Sequence, residues 1–516
     1  MSQRLDARVW VSDGSSFLYP ESVYERPLTG VCFSGGGTRS YAATIGQLRG
    51  LRAIGLWPRI GYLSAVSGGA WAAIADAFYA GPGRNDDEIL GSVREAHTLY
   101  LDVLEKLQAC ELGIAATQSF RSTLELLCGE PNLSTDRIWA RAVGETFLAP
   151  FGLYDADQPC GFTLDDETEC DLARRNPELA PCHVLRNGRG QPFPIVHATL
   201  NWPSVRHTSA QKVNFEYTPL YCGSPQLTRL QSGDGSIWVG GGVLDSVAFG
   251  CEPPSQPVVN DGRAIVFQAE PFTLADAIGA SSAFSANTRD DRFYPHFNCW
   301  PIPSTAGPAK RHMFTDGGDL ENFGIIPLLR RGVRTIVVFV NTMWPLSLGF
   351  DSSDGWPVDE GSDKRVIDPF IAPLFGAPST RFLHNNVFPE TDFKTLVSKL
   401  QDAKRAGRGL VTVMRHAVRD NAWWGLSGGW DVEVCWVYNE RVPEWEVRLP
   451  VDTRREIERG SADAPSGSVV NFPHYCTQGQ NSGALIRLTP VQINLLSHLA
   501  CWSVTAHADE LRTLFM

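Results

Sequence analysis

A chain of 516 residues, 43% hydrophobic and 20% charged, has the composition of a globular protein with ample core, not of a disordered one. A net charge of −12 and a pI near 5.4 exclude nucleic acid as a partner, because gripping a phosphate backbone needs clustered Lys and Arg. They also exclude purely electrostatic docking on anionic lipid, so any membrane contact has to rest on apolar side chains.

The start, MSQRLDARVWVSDGSS, lacks the apolar run of a secretory signal, and no stretch approaches the ~18–20 apolar residues that a spanning helix needs. A cytoplasmic protein, at most peripheral to membranes, is the expectation, with its twelve dispersed cysteines as free thiols. Val31–Phe33 reads as a short strand, and residues 38–56 carry apolar side chains at helical spacing. A second strand follows at 59–66, then an Ala-rich helix at 68–80. This strand–helix–strand–helix order implies a parallel sheet with covering helices. Residues 86–150 look helical, with LYLDVLEKLQACEL (99–112) as the clearest amphipathic piece, and residues 151–192 are polar and turn-rich. Together, about 86–192 suggest an inserted cap. Cys160, Cys170, Cys182 and His183 cluster there but fit no CxxC ligand spacing, so no metal is expected. Strand signals return at 193–202, 213–222 and 263–268, a helix at 273–286, and a buried strand at 333–342. Residues 343–390, rich in Pro, Gly and aromatics, read as long loops packed on the core or as a mobile lid. Strands near 409–414 and 431–438 and a closing helix from TPVQINLLSHLACW onward complete the chain.

Three short stretches carry chemistry. In SGGGTR (34–39), a glycine turn leads from a strand into a helix and offers backbone N–H groups to an anion. That anion is either a phosphate or a developing oxyanion. A P-loop would need Gly-Lys-Ser/Thr, and the dinucleotide fingerprint needs a third glycine at a different offset. The alternative is a tight structural turn. In SAVSGGAW (64–71), Ser67 sits between a strand and a helix, the layout of a nucleophile elbow, with Ala65 in the slot of the usual first glycine. The alternative makes Ser67 a helix cap. In MFTDGGDLENFGIIPLL (313–329), an apolar pair leads up to Asp316 before two glycines, although Asp-Gly is also an ordinary turn. All three fall where strands end, which is where open α/β sheets place ligands.

Taken in order, SGGGTR, AVSGG (65–69) and DGG (316–318) resemble the patatin-like and cytosolic phospholipase A2 acyl hydrolases. VNFEYTPLYCGSP, WVGGGVLDSVAFG (238–250) and IGASSAFSANT (278–288) are similar to segments of the cytosolic phospholipase A2 and lysophospholipase branch. The resemblance spans about residues 28–345. It implies a three-layer α/β/α catalytic domain over 30–345 with a central, mostly parallel sheet and the inserted cap. Residues 1–29 would be an N-terminal extension, and 346–516 would pack on the same domain. For activity it implies hydrolysis of phospholipid or lysophospholipid acyl esters through a Ser–Asp dyad: Ser67 as nucleophile, Asp316 as base, and an acyl-serine intermediate. Gly36 and Gly37, with Gly35 shaping the turn, would form the oxyanion hole, and Arg39 would face the substrate phosphate, which suits a guanidinium fork. An Arg39 salt bridge on the helix surface is the alternative. No cofactor is implied, and with only some thirty residues before the glycine loop a calcium requirement is not expected. Two other readings stay open. A Ser-His-Asp hydrolase would draw its histidine from His384, His416, His474, His498 or His507, with His312 read as a strand-end residue. A non-catalytic lipid-binding or scaffold protein would keep the fold without turnover. The aromatics of 292–303 would line an acyl groove or simply pack on the core.

Overall fold

The protein's structure, a computed structural model, describes residues 3–12, 17–79, 85–179, 184–186, 192–202, 211–232, 235–252, 262–284, 291–299, 310–352, 355–357, 366–462, 465–476 and 487–516. Its strands in chain order are β1 (Gln3–Val11), β2 (Thr29–Phe33), β3 (Tyr62–Ala65), β4 (Gly161–Thr163), β5 (Val184–Arg186), β6 (Phe193–Trp202), β7 (Gln211–Tyr217) and β8 (Tyr221–Ser232). Then come β9 (Gly235–Asp245), β10 (Arg263–Gln268), β11 (His296–Cys299), β12 (Lys310–Asp316), β13 (Thr335–Val340), β14 (Leu410–Val418) and β15 (Trp430–Tyr438). Among the described residues, all but β4 and β5 join one sheet in the order β10-β1-β9-β8-β7-β6-β3-β2-β13-β15-β14, with β12 also pairing β6 and β11 pairing β12.

The centre of this sheet is parallel: β6, β3, β2, β13 and β15 run the same way, with Phe33 beside Ala65 on one side and Phe339 on the other. Antiparallel strands extend it at both ends. Side chains alternate between its two faces, as the pleat requires. Val31 and Phe33 of β2 and Val337 and Phe339 of β13 enter one core. Cys32 of β2 and Ile336, Val338 and Val340 of β13 enter a second core on the opposite face. The run TIVVFV is buried on both faces in this way, which is why it lacks the polar alternation of a one-sided strand. The first core is covered by α1 (Gly37–Ala53), α2 (Ser67–Phe78) and the helix Pro490–Thr505, the second by the helices Ile325–Arg330 and Glu390–Arg405, giving three layers. Helix Pro490–Thr505 lies on the glycines of α1: a methyl group at Gly46 would overlap the Ser497 carbonyl, and one at Gly50 would stand 2.7 Å from Val504 Cβ.

Two sequence expectations need correction. Residues 99–112 are not a helix beyond Leu101–Leu104. Asn494 Nδ2 donates to the carbonyls of Leu104 and Lys106 at 2.8 and 3.1 Å, and these tertiary bonds replace the helical ladder despite the amphipathic spacing. The stretch 213–222 is two strands, since Thr218 and Pro219 turn the chain between β7 and β8. Pro219 has no N–H to continue a ladder, and Thr218 N donates to the Tyr221 carbonyl at 2.9 Å. His312 lies within β12, fully buried and stacked on Trp202 at 3.7 Å between ring centroids. Phe297 sits 5% exposed in an aromatic cluster with Phe249, Phe272 and Phe314, and with Phe249 and Phe272 it lines a cavity of about 910 Å³. Of the long 343–390 segment, Leu346, Ile367, Ile371, Leu374, Phe375, Val387 and Phe388 are buried against the second core.

The FEYTP stretch contributes a buried ion network. Arg331 donates through Nε to Glu21 Oε1 and through Nη2 to Glu216 Oε2, both at 2.7 Å, and to the Tyr221 hydroxyl at 2.5 Å. Arg330 Nη1 reaches Glu216 Oε1 at 3.2 Å. Burial pushes the Glu216 carboxyl up, but Arg331 and Arg330 outweigh it and hold the group below the usual carboxylate value. The network links Glu21, between β1 and β2, to the helix that follows the Asp-Gly-Gly turn.

Candidate active site

The carboxyl ends of β2 and β3 and the end of β12 converge. β2 runs into Gly35 and Gly36 and then α1, with Gly36 at φ 145° and Gly37 at φ 60°, values that side chains other than glycine's rarely adopt. β3 runs through Val66 into α2, and the turning residue is Ser67 at φ 52°. A serine held there stores on the order of 1–3 kcal/mol of strain, and it is not the cap of α2; the cap residue is Val66. Ala65, 0% exposed at the end of β3, fills the slot of the missing glycine. The glycines after Ser67 serve close packing between the two turns. A methyl at Gly68 would overlap the Gly37 carbonyl, and one at Gly69 would stand 2.7 Å from the carbonyls of Phe33 and Ser34.

Asp316, 249 residues from Ser67, ends β12 opposite Ala198 of β6. Ser67 Oγ donates to Asp316 Oδ2 at 2.9 Å, and the Gly318 N–H donates to Asp316 Oδ1 at 2.8 Å. Thr199 Oγ1 donates to the Asp316 carbonyl, and the Ser67 N–H donates to Ser281 Oγ. Ser67 and Asp316 are 6% and 5% exposed. Burial, and next the neighbouring Asp319 carboxylate, push the Asp316 carboxyl up to about 7, against the hydrogen bonds from Gly318 and Ser67 and the charge of Arg381. Asp319 is in turn held by Arg381 Nη2 at 2.9 Å and Lys212 Nζ at 3.7 Å.

A cleft of about 150 Å³ opens over the pair, lined by Gly35, Gly36, Arg39, Ser67, Asp316 and Gly318 and by Asn322, Asn341, Met343, Trp344, Asp368, Phe370 and Arg381. Of the glycines, Gly35 already spends its N–H on the Asn322 carbonyl at 3.0 Å, so it shapes the turn instead of donating into the cleft. Gly37 opens α1, with its N–H at the positive end of that helix.

Arg39 is buried, not on the helix surface. Its Nε donates to the Asn341 carbonyl at 3.0 Å and its Nη1 to the Tyr475 carbonyl at 2.8 Å. Burial lowers the guanidinium to about 10, so it stays charged at neutral pH. Asn341 is the hub beneath the loop: its N–H donates to Ser34 Oγ at 2.8 Å, its Oδ1 accepts from Gln47 Nε2 at 2.6 Å, and its Nδ2 donates to Ser40 Oγ at 3.1 Å.

None of the histidines considered for a triad lines the cleft. His416 bonds Asp392 and Trp436, His474 bonds Glu440, and His498 meets Arg49. His507 bonds the Ser503 carbonyl, and His384 stacks on Trp423. Among the described residues no group of three or more His, Cys, Asp or Glu is placed to hold a metal; Cys182 and His183 lie outside the described residues. Sequence reading missed Asn322, Asn341, Asp319 and Arg381. Asp319 and Asn322 were within reach, since both fall in DGGDLEN, whereas Asn341 and Arg381 sit among residues with no motif around them.

Human cytosolic phospholipase A2 beta is 27% identical over 172 residues, covering 32% of this chain and 20% of that protein. Mouse cytosolic phospholipase A2 zeta is 30% identical over 171 residues, covering 32% of this chain and 18% of its own length. Over about a third of its length the chain is thus similar to cytosolic phospholipases A2. It aligns with about a fifth of the length of these curated relatives. No family model matches. The solved structure of human GIVD cytosolic phospholipase A2 superposes on 97% of this chain and 63% of its own, at 14% identity and a TM-score of 0.46. Among the described residues no helix is long and apolar enough to cross a membrane.

Proposed function

We propose that the protein is a serine acyl hydrolase that cleaves fatty-acyl esters of phospholipids or lysophospholipids. The observation that carries this reading is the 2.9 Å bond from Ser67 Oγ to Asp316 Oδ2 at the base of an open cleft. Ser67 Oγ attacks the ester carbonyl while its proton passes to Asp316 Oδ2. The carbonyl oxygen becomes an oxyanion at the N-terminus of α1, facing the N–H groups of Gly37 and Gly36. Collapse of the tetrahedral intermediate breaks the bond to the leaving alcohol, which takes the proton from Asp316, and leaves acyl-Ser67. Asp316 then removes a proton from water, whose attack releases the fatty acid and restores Ser67. An Asp serves as base because its site is buried: a carboxylate near 7 is far more basic than one near 4 and still ionised above neutral pH. Arg39 supports the glycine loop from behind. Substrate is reached at a lipid surface, with the enzyme peripheral to it.

The test is turnover of a chromogenic short-chain ester and of a lysophospholipid. Ser67→Ala and Asp316→Asn should each lower kcat/KM by at least about a thousandfold, with the fold intact by circular dichroism. Activity surviving in both variants, or lost on replacing His474 or His416, would refute the dyad.

A further inference from the structure

We propose that Arg381, not Arg39, receives the phosphate of the substrate headgroup; this rests on the acyl-hydrolase reading above. Two arginines line the cleft, and their commitments differ. Arg39 spends Nε and Nη1 on two main-chain carbonyls, and its Nη2 lies 2.5 Å from where a methyl on Gly36 would stand. The group is a strut wedged beneath the glycine turn. Turning it toward a ligand would strand two buried carbonyls, at about 1–3 kcal/mol each.

Arg381 is built differently. Its side chain is 38% exposed. Its guanidinium carbon stands 5.1 Å from the centre of the Phe382 ring and 5.8 Å from that of Phe370; these rings fix the plane without using a donor. Only Nη2 is bonded, to Asp319 Oδ1 at 2.9 Å and to the Gly318 carbonyl at 3.5 Å; among the described residues Nε and Nη1 carry no hydrogen bond. Nε–H and the Nη1 hydrogens are thus left to donate to phosphate oxygens, and a two-pronged contact would pair either of them with Nη2, which holds the Gly318 carbonyl only at 3.5 Å. Asp319 is also met by Lys212, so it keeps a cationic neighbour if Arg381 shifts toward a ligand. The Gly318 contact places Arg381 one peptide away from the bond that orients Asp316, so the phosphate would dock on the same turn that holds the base.

Binding tests this without catalysis. Calorimetry would use two non-hydrolysable ethers below their micelle concentrations, 1-O-octyl-glycero-3-phosphocholine and 1-O-octylglycerol, with inorganic phosphate as a third probe. Arg381→Ala should weaken the phosphocholine ether at least tenfold and leave octylglycerol within twofold. Arg381→Lys should lose less, and Arg39→Lys should affect both ethers alike. Equal losses for both ethers in Arg381→Ala, no loss in either, or a phosphocholine-selective loss in Arg39→Lys would overturn the assignment. Inorganic phosphate binding through Arg381 with no preference between the two ethers would mean a free-anion site and would overturn it too. Selective ether binding through Arg381 in a protein that hydrolyses no ester would refute the hydrolase reading and leave this one standing.

Discussion

Replacing Asp316 by Asn should inactivate the protein and, at the same time, stabilise it. The folded chain buries this carboxyl beside Asp319, and the balance with Gly318, Ser67 and Arg381 leaves it at about 7, against 3.8 for an ordinary Asp. The gap is about three pH units, each worth about 1.4 kcal/mol. Above pH 7 the ionised group therefore costs the folded state about 4 kcal/mol. At pH 5 the folded protein keeps the proton that the unfolded chain has released, and the cost is only about 1.5 kcal/mol. Because the folded state binds the extra proton, this group's contribution to stability falls as pH rises from about 4 to about 7. Asparagine fits the same bonds: its Oδ1 accepts from Gly318 N–H and its Nδ2 donates to Ser67 Oγ. Thermal melts of wild type and Asp316→Asn at pH 5 and pH 8 should show the variant ahead at both, and by clearly more at pH 8. Glu321, also near 7 through burial, titrates in both proteins and cancels in the comparison. A variant that melts at or below wild type at both pH values, or that gains equally at both, would refute the argument that Asp316 is held in an unfavourable charged state.

The same carboxyl sets the acid limb of activity: kcat/KM should fall about tenfold per pH unit below about 7, and Asp319→Asn should move that inflection to lower pH by removing a repelling charge, read from ester turnover between pH 5.5 and 9. Gly68→Ala drives a methyl into the Gly37 carbonyl and should cost at least about 1–3 kcal/mol along with most activity, since backbone must move at the glycine turn; a denaturant titration and an esterase assay check both. Arg331→Met leaves Glu216 and Glu21 buried without their shared cation and should cost about 3–5 kcal/mol, measured by chemical denaturation, while hydrolysis by the protein that remains folded stays near wild type.

Local features of the site were legible and its assembly was not. Glycine runs and a serine at the end of an apolar stretch are local, so SGGGTR, AVSGG and DGG mark their turns in the sequence directly. Nothing local says that Ser67 and Asp316 touch: that follows from β3 and β12 lying against opposite halves of β6, Tyr62 beside Phe193 and Asp316 beside Ala198. Arg39 shows the limit of motif reading, because a side chain's position in a motif does not reveal which carbonyls it satisfies. Arg381 is the converse, an arginine in an irregular loop that is made specific by the Asp319 it meets. The amphipathic run at 99–112 misled because Asn494, nearly four hundred residues later, competes for its carbonyls.

The residues ahead of the glycine loop have a practical weight that their sequence does not suggest. β1 pairs with β10 along one side and with β9 along the other, and Glu21 answers Arg331 in the interior. A recombinant fragment trimmed to begin at Thr29 would lose the β1 ladders shared with β9 and β10, leaving unpaired donors and acceptors ready to recruit other chains, and a buried arginine short of one counter-ion. Such a fragment should emerge as inclusion bodies although its Ser67, Asp316 and glycine turn are all intact, and an inactive preparation of it would say nothing about the chemistry of the site.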